Sequence, residues 1–137
     1  MQSVDMAEVV QMAVASTVKD FEALQKEQML AGLDSKGGKI GKYKSKKYAA
    51  AKHILNPLPG LGNMDFKLYG DFHKGFFTRL SATSIFSSSS DKKTDRLLKI
   101  NKDVFGLNQE SAGKYSISHV KPAGNKIIKK LLSKNAV

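Results

Sequence analysis

Gly75-Phe76-Phe77-Thr78-Arg79-Leu80-Ser81-Ala82-Thr83-Ser84-Ile85-Phe86-Ser87-Ser88-Ser89 is the stretch whose reading decides the fold. Two runs rich in aromatic and β-branched residues flank three small ones, the pattern of an antiparallel hairpin turning at Ser81-Ala82-Thr83. The serines from 87 to 90 are expected on one face of an exposed strand, ending in the loop Asp91-Lys92-Lys93. Because two strands alone are marginal in water, helices on either side must cover them.

Helical signals lie at both ends of the chain. Asp5 is an N-cap candidate with Glu8 three residues on, and Val9, Val10, Ala13, Val14, Phe21 and Leu24 recur at helical spacing. This predicts one long helix within residues 1–31, stopped by Gly32, with Gln11, Lys19, Glu22, Lys26 and Glu27 on its polar side. At the other end, Ser116 or Ser118 opens a helix within 116–137. Val120, Ile127, Ile128, Leu131 and Leu132 line one side of it, Lys126, Lys129, Lys130 and Lys134 line the other, and Pro122 sits in its first turn. The expectation is an α+β fold of one domain, 1–137, with both terminal helices packed on a small antiparallel sheet centred on 75–89. Residues 32–64 form a basic Gly/Lys/Pro region and 65–115 a hairpin core, where Thr94 and Asp95 cap a short helix bearing Leu97, Leu98 and Ile100.

A chain of 137 residues with 41% hydrophobic and 26% charged residues has room for one modest core. Without tryptophan each core residue buries less, and some of the stability is expected to come from neighbouring molecules. No cysteine is present, and His53, His73 and His119 are too dispersed for a local ligand motif, so neither disulfide nor zinc is expected. Apolar runs are too short to span a bilayer, and the start Met1-Gln2-Ser3-Val4-Asp5 has no basic, apolar leader, so synthesis in the cytoplasm is expected.

Charge is sharply segregated. Residues 1–34 hold two lysines against six acids, whereas 35–64 hold Lys36, Lys39, Lys42, Lys44, Lys46, Lys47 and Lys52 and no acid at all. Residues 65–110 are close to balanced, and 111–137 again contain lysines only. Such blocks attract polyanions or acidic protein surfaces, or they form a solvated face. Only two arginines accompany the lysines, so any contact with nucleic acid is expected to ignore sequence.

Within the basic region, Gly37-Gly38 marks the tip of a loop or short hairpin opened by Asp34. The alternate positions Lys36 and Gly38 lack the oxygens of a calcium loop, and the glycine spacing is not that of a phosphate loop. Ser45 caps a helix running through Leu55 and ended by Asn56-Pro57, with Tyr48 and Ala51 expected inward and Lys46, Lys47 and Lys52 outward. Pro57-Leu58-Pro59-Gly60-Leu61-Gly62 is too apolar for a plain spacer and is expected to pack under a neighbour.

Two aromatic-glycine motifs frame the middle of the chain: Leu68-Tyr69-Gly70-Asp71-Phe72, leading to Gly75-Phe76-Phe77, and Val104-Phe105-Gly106-Leu107. Phe105 and Leu107 are expected to bury. Together with the Asp-x-x-Gly turn and Tyr43-Lys44-Ser45-Lys46-Lys47-Tyr48-Ala49-Ala50-Ala51-Lys52, this order resembles the small tail-completion or neck proteins of tailed bacteriophages, over roughly residues 28–120. Tyr69 and Phe72 stand where that family usually has Thr and Leu, and Phe105-Gly106-Leu107 is one residue shorter than its counterpart. The resemblance implies a structural virion protein of the phage neck or tail, not an enzyme. It also implies a ring of identical subunits, contacts with other neck, portal or tail proteins, and Gly70, Asp71, Phe72, Phe105, Gly106 and Leu107 as structural motif residues.

In such a ring, the lysines from Lys36 to Lys52 would face packaged DNA or an acidic neighbour, and the acidic N-terminal helix of one subunit would meet the basic loop of the next. The competing reading is a sequence-blind nucleic-acid-binding accessory protein, with the lysines as phosphate clamps and Tyr43, Tyr48 and Tyr69 as stacking platforms. Enzyme chemistry finds little footing. No nucleophile elbow occurs, Asp65, Asp71, Asp91 and Asp95 read as caps or solvated charges, and His73, the best single acid-base candidate, reads first as an exposed histidine after a turn.

Overall fold

Asp5 starts the first helix as its sequence demands, its carboxylate accepting from the amides of Ala7 at 3.0 Å and Glu8 at 3.4 Å. The computed structural model describes residues 4–66, 71–81 and 84–135. In place of one long N-terminal helix there are two, α1 (Met6–Ser16) and α2 (Val18–Leu30). The break falls at Thr17, whose hydroxyl bonds back to the Ala13 carbonyl at 2.8 Å and also lies 2.9 Å from the Tyr115 hydroxyl. A threonine bonding to its own preceding turn competes with the helical ladder, and Tyr115, buried edge-on against Phe21, fixes the bend.

At its far end α2 closes as a Schellman motif. The Leu33 amide reaches the Gln28 carbonyl at 3.1 Å, and the Gly32 amide reaches that of Met29 at 2.8 Å. Gly32 has φ +77°, and a Cβ there would lie 2.6 Å from the Pro59 Cβ, so both conformation and space require glycine.

After α3 (Lys46–Leu55) and the single turn α4 (Asp71–Lys74), β1 (Phe76–Leu80) and β2 (Ile85–Ser89) pair antiparallel from Phe76↔Ser89 to Leu80↔Ile85. The expected hairpin is therefore present; Ala82 and Thr83 of its turn lie outside the described residues. Ser87 and Ser89 are buried, not exposed, because the serine face lies on the same side as Phe76 and turns inward. The Ser89 carbonyl is further engaged by the Thr94 hydroxyl at 3.0 Å. Thr94 thus bonds backward to the strand and does not cap α5 (Thr94–Ile100), which has no side-chain N-cap bond.

Asn108 caps α6 (Gln109–Tyr115) through the Ser111 amide at 2.9 Å. The chain then continues through a π turn, Ser116–Val120, straight into α7 (Lys121–Asn135). Neither Ser116 nor Ser118 opens a helix. Pro122 has no amide hydrogen for the carbonyl four residues back, and the ladder widens there, the Lys121 amide reaching the Ser116 carbonyl. α7 packs chiefly along α1, where Gly124 meets Val9 and Ala13, so the C-terminal helix covers the N-terminal one more than it covers the sheet. The α+β class holds.

The main core joins Met29, Ile40, Phe66, Phe76, Leu97 and Val104. Two buried glutamines of α2 complete it. The Gln28 amide nitrogen donates to the Gly106 carbonyl at 2.8 Å while its oxygen accepts from the Asn108 amide at 2.8 Å. Gln25 likewise donates to the Val104 carbonyl at 3.3 Å and accepts from the Gly106 amide. One helix face therefore supplies the hydrogen bonds that a partner strand would give to 104–108.

Substituting Gln28 by Ala leaves a buried amide and carbonyl without partners, and unfolding in urea should report a loss of about 2–3 kcal/mol. The same change at exposed Gln109 should stay within about 0.5 kcal/mol.

Candidate assembly surface

The basic region is ordered by two carboxylates. Asp34 builds the first loop: its side chain accepts from the amides of Lys36 at 2.9 Å and Gly38 at 3.0 Å, and from the Asn101 side chain at 3.0 Å. A Leu33↔Lys39 bridge closes the loop, with Gly37 at φ +83° at its tip. Burial alone would raise the Asp34 pKa. The bonds from Asn101, Lys36 and Gly38 and the nearby Lys36 charge outweigh it, and the carboxyl titrates below its ordinary value. Its oxygens are committed to the loop, and among the described residues no cluster of His, Cys, Asp or Glu could hold a metal ion.

The second carboxylate, Asp65, is 2% exposed. Lys52 lies 3.0 Å from one of its oxygens, and the Asn56 side chain donates to the other at 3.0 Å while also donating to the Leu30 carbonyl at 2.8 Å. Tyr43 bonds to Asp65 as well; burial first, and then the Asp65 charge, pushes its phenol well above the usual tyrosine pKa. Asp65 is therefore neither a cap nor a solvated charge. Lys52, expected outward, turns inward because a buried carboxylate needs a counterion. Ala49, Lys52, His53 and Asn56 form the inward stripe of α3, and Ala51 is exposed.

Ser45 caps α3 as expected, accepting from the Tyr48 amide at 3.2 Å. Asn56 and Pro57 end the helix and lead into two tight turns, with the Gly60 amide on the Pro57 carbonyl at 3.1 Å and Asn63 on Gly60 at 3.2 Å. Pro59 is buried, and its carbonyl accepts from the Asn63 side chain at 2.7 Å and from the Lys39 ammonium at 3.3 Å. On this frame stand four aliphatic side chains directed to solvent: Ile54 at 83% exposure, Leu55 at 80%, Leu58 at 72% and Leu61 at 66%. Scattered exposed leucines are ordinary, but four in eight residues on a proline-stiffened frame form a patch of the kind that marks an interaction surface.

Two lysines, Lys39 and Lys42, border this ledge. Lys42 bridges to Asn63 beside it, and Lys39, Lys42, Lys44, Lys46 and Lys47 are exposed. Lys46 and Lys47 open α3, where the helix already presents its positive end and no acid offsets it. Lys36 is exposed but lies 3.5 Å from Asp103. Six of the seven candidate contact lysines thus face solvent, and Lys52 does not. Of the three stacking candidates, Tyr43 is tied to Asp65, Tyr48 leans edge-on against it with ring centroids 5.0 Å apart, and Tyr69 lies outside the described residues.

The first motif can be followed only in part: Leu68, Tyr69 and Gly70 and the side chains of Asp71 and Phe72 lie outside the described residues. In the second, Val104 takes the core position at 0% exposure, while Phe105 and Leu107 are half-buried. Phe105 packs on Phe76 with centroids 5.8 Å apart, and Gly106 has φ +108°. His73 is buried, with Nε2 3.0 Å from the Asp65 carbonyl. That contact commits the nitrogen to holding α4 against the Asp65 segment. No helix among the described residues is long and apolar enough to cross a membrane. Neither a family model, nor a curated protein, nor a solved structure matches the chain.

Lys52→Met strands a carboxylate that has no route to water and should cost about 3–5 kcal/mol in denaturant unfolding. Asp65→Asn should cost less, because the Lys52 stem can carry its charge toward solvent. The stabilisation due to Asp34 is complete above the ordinary carboxylate pKa of about 4 and is lost as pH falls through its lower folded value. Acid titration of Asp34→Asn should therefore show a shallower loss of stability below about pH 4 than the parent protein shows.

Proposed function

We propose that this protein is a structural subunit of a phage neck or tail, a ring-forming head-tail connector or tail-completion component that does no bond chemistry. The observation that carries this reading is the rigid ledge of Ile54, Leu55, Leu58 and Leu61, held out by the Asp65, Asn56 and Pro59 bonds and bordered by exposed lysines. A small protein with a small core that fixes so much aliphatic surface in water is built to be covered by another molecule. The motif order from Gly32 to Asn108 supports the phage assignment, and the segregation of acid and base along the chain supports contact between identical subunits.

A second reading, sequence-blind binding of nucleic acid, draws on the exposed lysines 39, 42, 44, 46 and 47. Two of its three stacking rings are engaged with Asp65 or with each other, which favours the assembly reading.

Sedimentation of the purified protein should show concentration-dependent oligomers, and Leu58→Asp should return it to the monomer with the thermal midpoint that the parent shows when diluted to its own monomer. Mass spectrometry of purified virions should find it at a fixed copy number. A protein that stays monomeric and binds any duplex tightly, with a log-log salt slope near ~0.9 per phosphate neutralised, would support the second reading instead.

A further inference from the structure

A second apolar surface lies open on the same molecule. Between α1 and the turn end of the hairpin runs a cleft of about 620 Å³, walled by Ala7, Val10, Val14 and Ala15 on one side and by Leu80 and Ile85 on the other. Val10 remains 49% exposed and Leu80 40%. We infer that the ledge of one copy seats in the α1–hairpin cleft of the next, a heterologous contact between identical chains. This rests on the assembly reading and specifies which surfaces meet.

Three observations select this pairing. The first is shape: the ledge projects and the cleft recedes, so each lacks what the other supplies. Position is the second. The ledge is rooted at the last residue of α2 by the Asn56 bond to the Leu30 carbonyl, whereas the cleft lies along α1, before α2 begins. The 13 residues of α2 separate them by roughly 20 Å at 1.5 Å per residue, so a ledge does not fill its own cleft. Charge is the third. Lys39 and Lys42 border the ledge, and a ledge-on-ledge dimer would bring these lysines against themselves. Asp5 and Glu8 are exposed at the first turn of α1, beside Ala7 of the cleft wall, and offer the opposite sign. A contact joining two different faces of one chain repeats head to tail and closes into a ring where the rotation permits.

Sedimentation of two single variants, Leu58→Asp and Val10→Asp, alone and mixed, tests the pairing. Both sites are exposed, and thermal midpoints matching that of the parent diluted to its monomer confirm that each variant folds; Leu80→Asp, on the opposite wall, serves as a second cleft variant. Each variant alone should be a monomer. At the highest protein concentrations an equimolar mixture should form a one-to-one dimer that grows no further, since the intact ledge of one and the intact cleft of the other make a single joint. If Val10→Asp and Leu80→Asp assemble like the parent, or if the mixture stays monomeric, the pairing is wrong while the assembly reading stands. A parent protein that is monomeric at every concentration overturns both.

Discussion

The buried Asp65 carboxylate is the constraint on which the rest of this molecule depends. A charge at 2% exposure is tolerable only with a counterion and a full set of donors, and these come from Lys52, Asn56 and Tyr43. Satisfying it pulls α3 inward, and through Asn56 it ties α3 to the C-terminal carbonyl of α2. The Asp65 backbone carbonyl, facing His73 Nε2, brings α4 into the same node. The aliphatic side chains of α3 that remain, Ile54 and Leu55, are left on the side away from this polar knot. One carboxylate thus decides both what α3 buries and what it presents.

The same economy recurs where α2 meets the second motif. The main core, in which six buried apolar residues join among the described residues, does not supply the hydrogen bonds that an irregular segment such as 104–108 needs. Gln25 and Gln28, one turn apart, place two side-chain amides on that segment's backbone and leave its buried groups paired. Buried polar networks of this kind fix geometry because partial satisfaction is costly. α2 consequently acts as the spine: its glutamines hold the Phe-Gly-Leu segment, Phe21 holds Tyr115, and its end receives Asn56.

Much of this was legible in the chain, where the signal is local. The hairpin at 76–89, the caps at Asp5, Ser45 and Asn108, the stop at Gly32 and the helix end at Asn56-Pro57 each follow from residues within a few positions of the event. What was hidden depends on partners distant in sequence. Thr17 breaks the first helix in the company of Tyr115, 98 residues away, and Gln28 is buried by backbone about 80 residues on. Lys52 reads as one more surface lysine until Asp65 is seen to be buried. The stripe Ala49, Lys52, His53 and Asn56, at spacings of three, four and seven, together with an acid between Met64 and Phe66, was the available clue. The π turn was not visible: Pro122 reads as a first-turn residue of a new helix, and only the helix running unbroken from Gln109 shows that the ladder widens instead of starting anew.

Energetics bear on why such a ledge suits a closed assembly. Burying an aliphatic side chain of this size is worth about 1.5–3 kcal/mol, so four of them supply on the order of 6–12 kcal/mol. Loss of translational and rotational freedom on association costs about 4–15 kcal/mol, and the two magnitudes overlap. One joint between two copies therefore forms at high protein concentration and opens on dilution, and an open chain held by such joints sheds its ends. The last joint of a ring forms between ends that are already tethered, at high effective concentration, and it adds its full burial without a second association cost. Held rigid by Pro57, Pro59 and the Asn63 bond, the ledge also loses little conformational entropy when covered. A surface that holds a pair only at high protein concentration, and that loses little on being covered, favours closed assemblies over open chains.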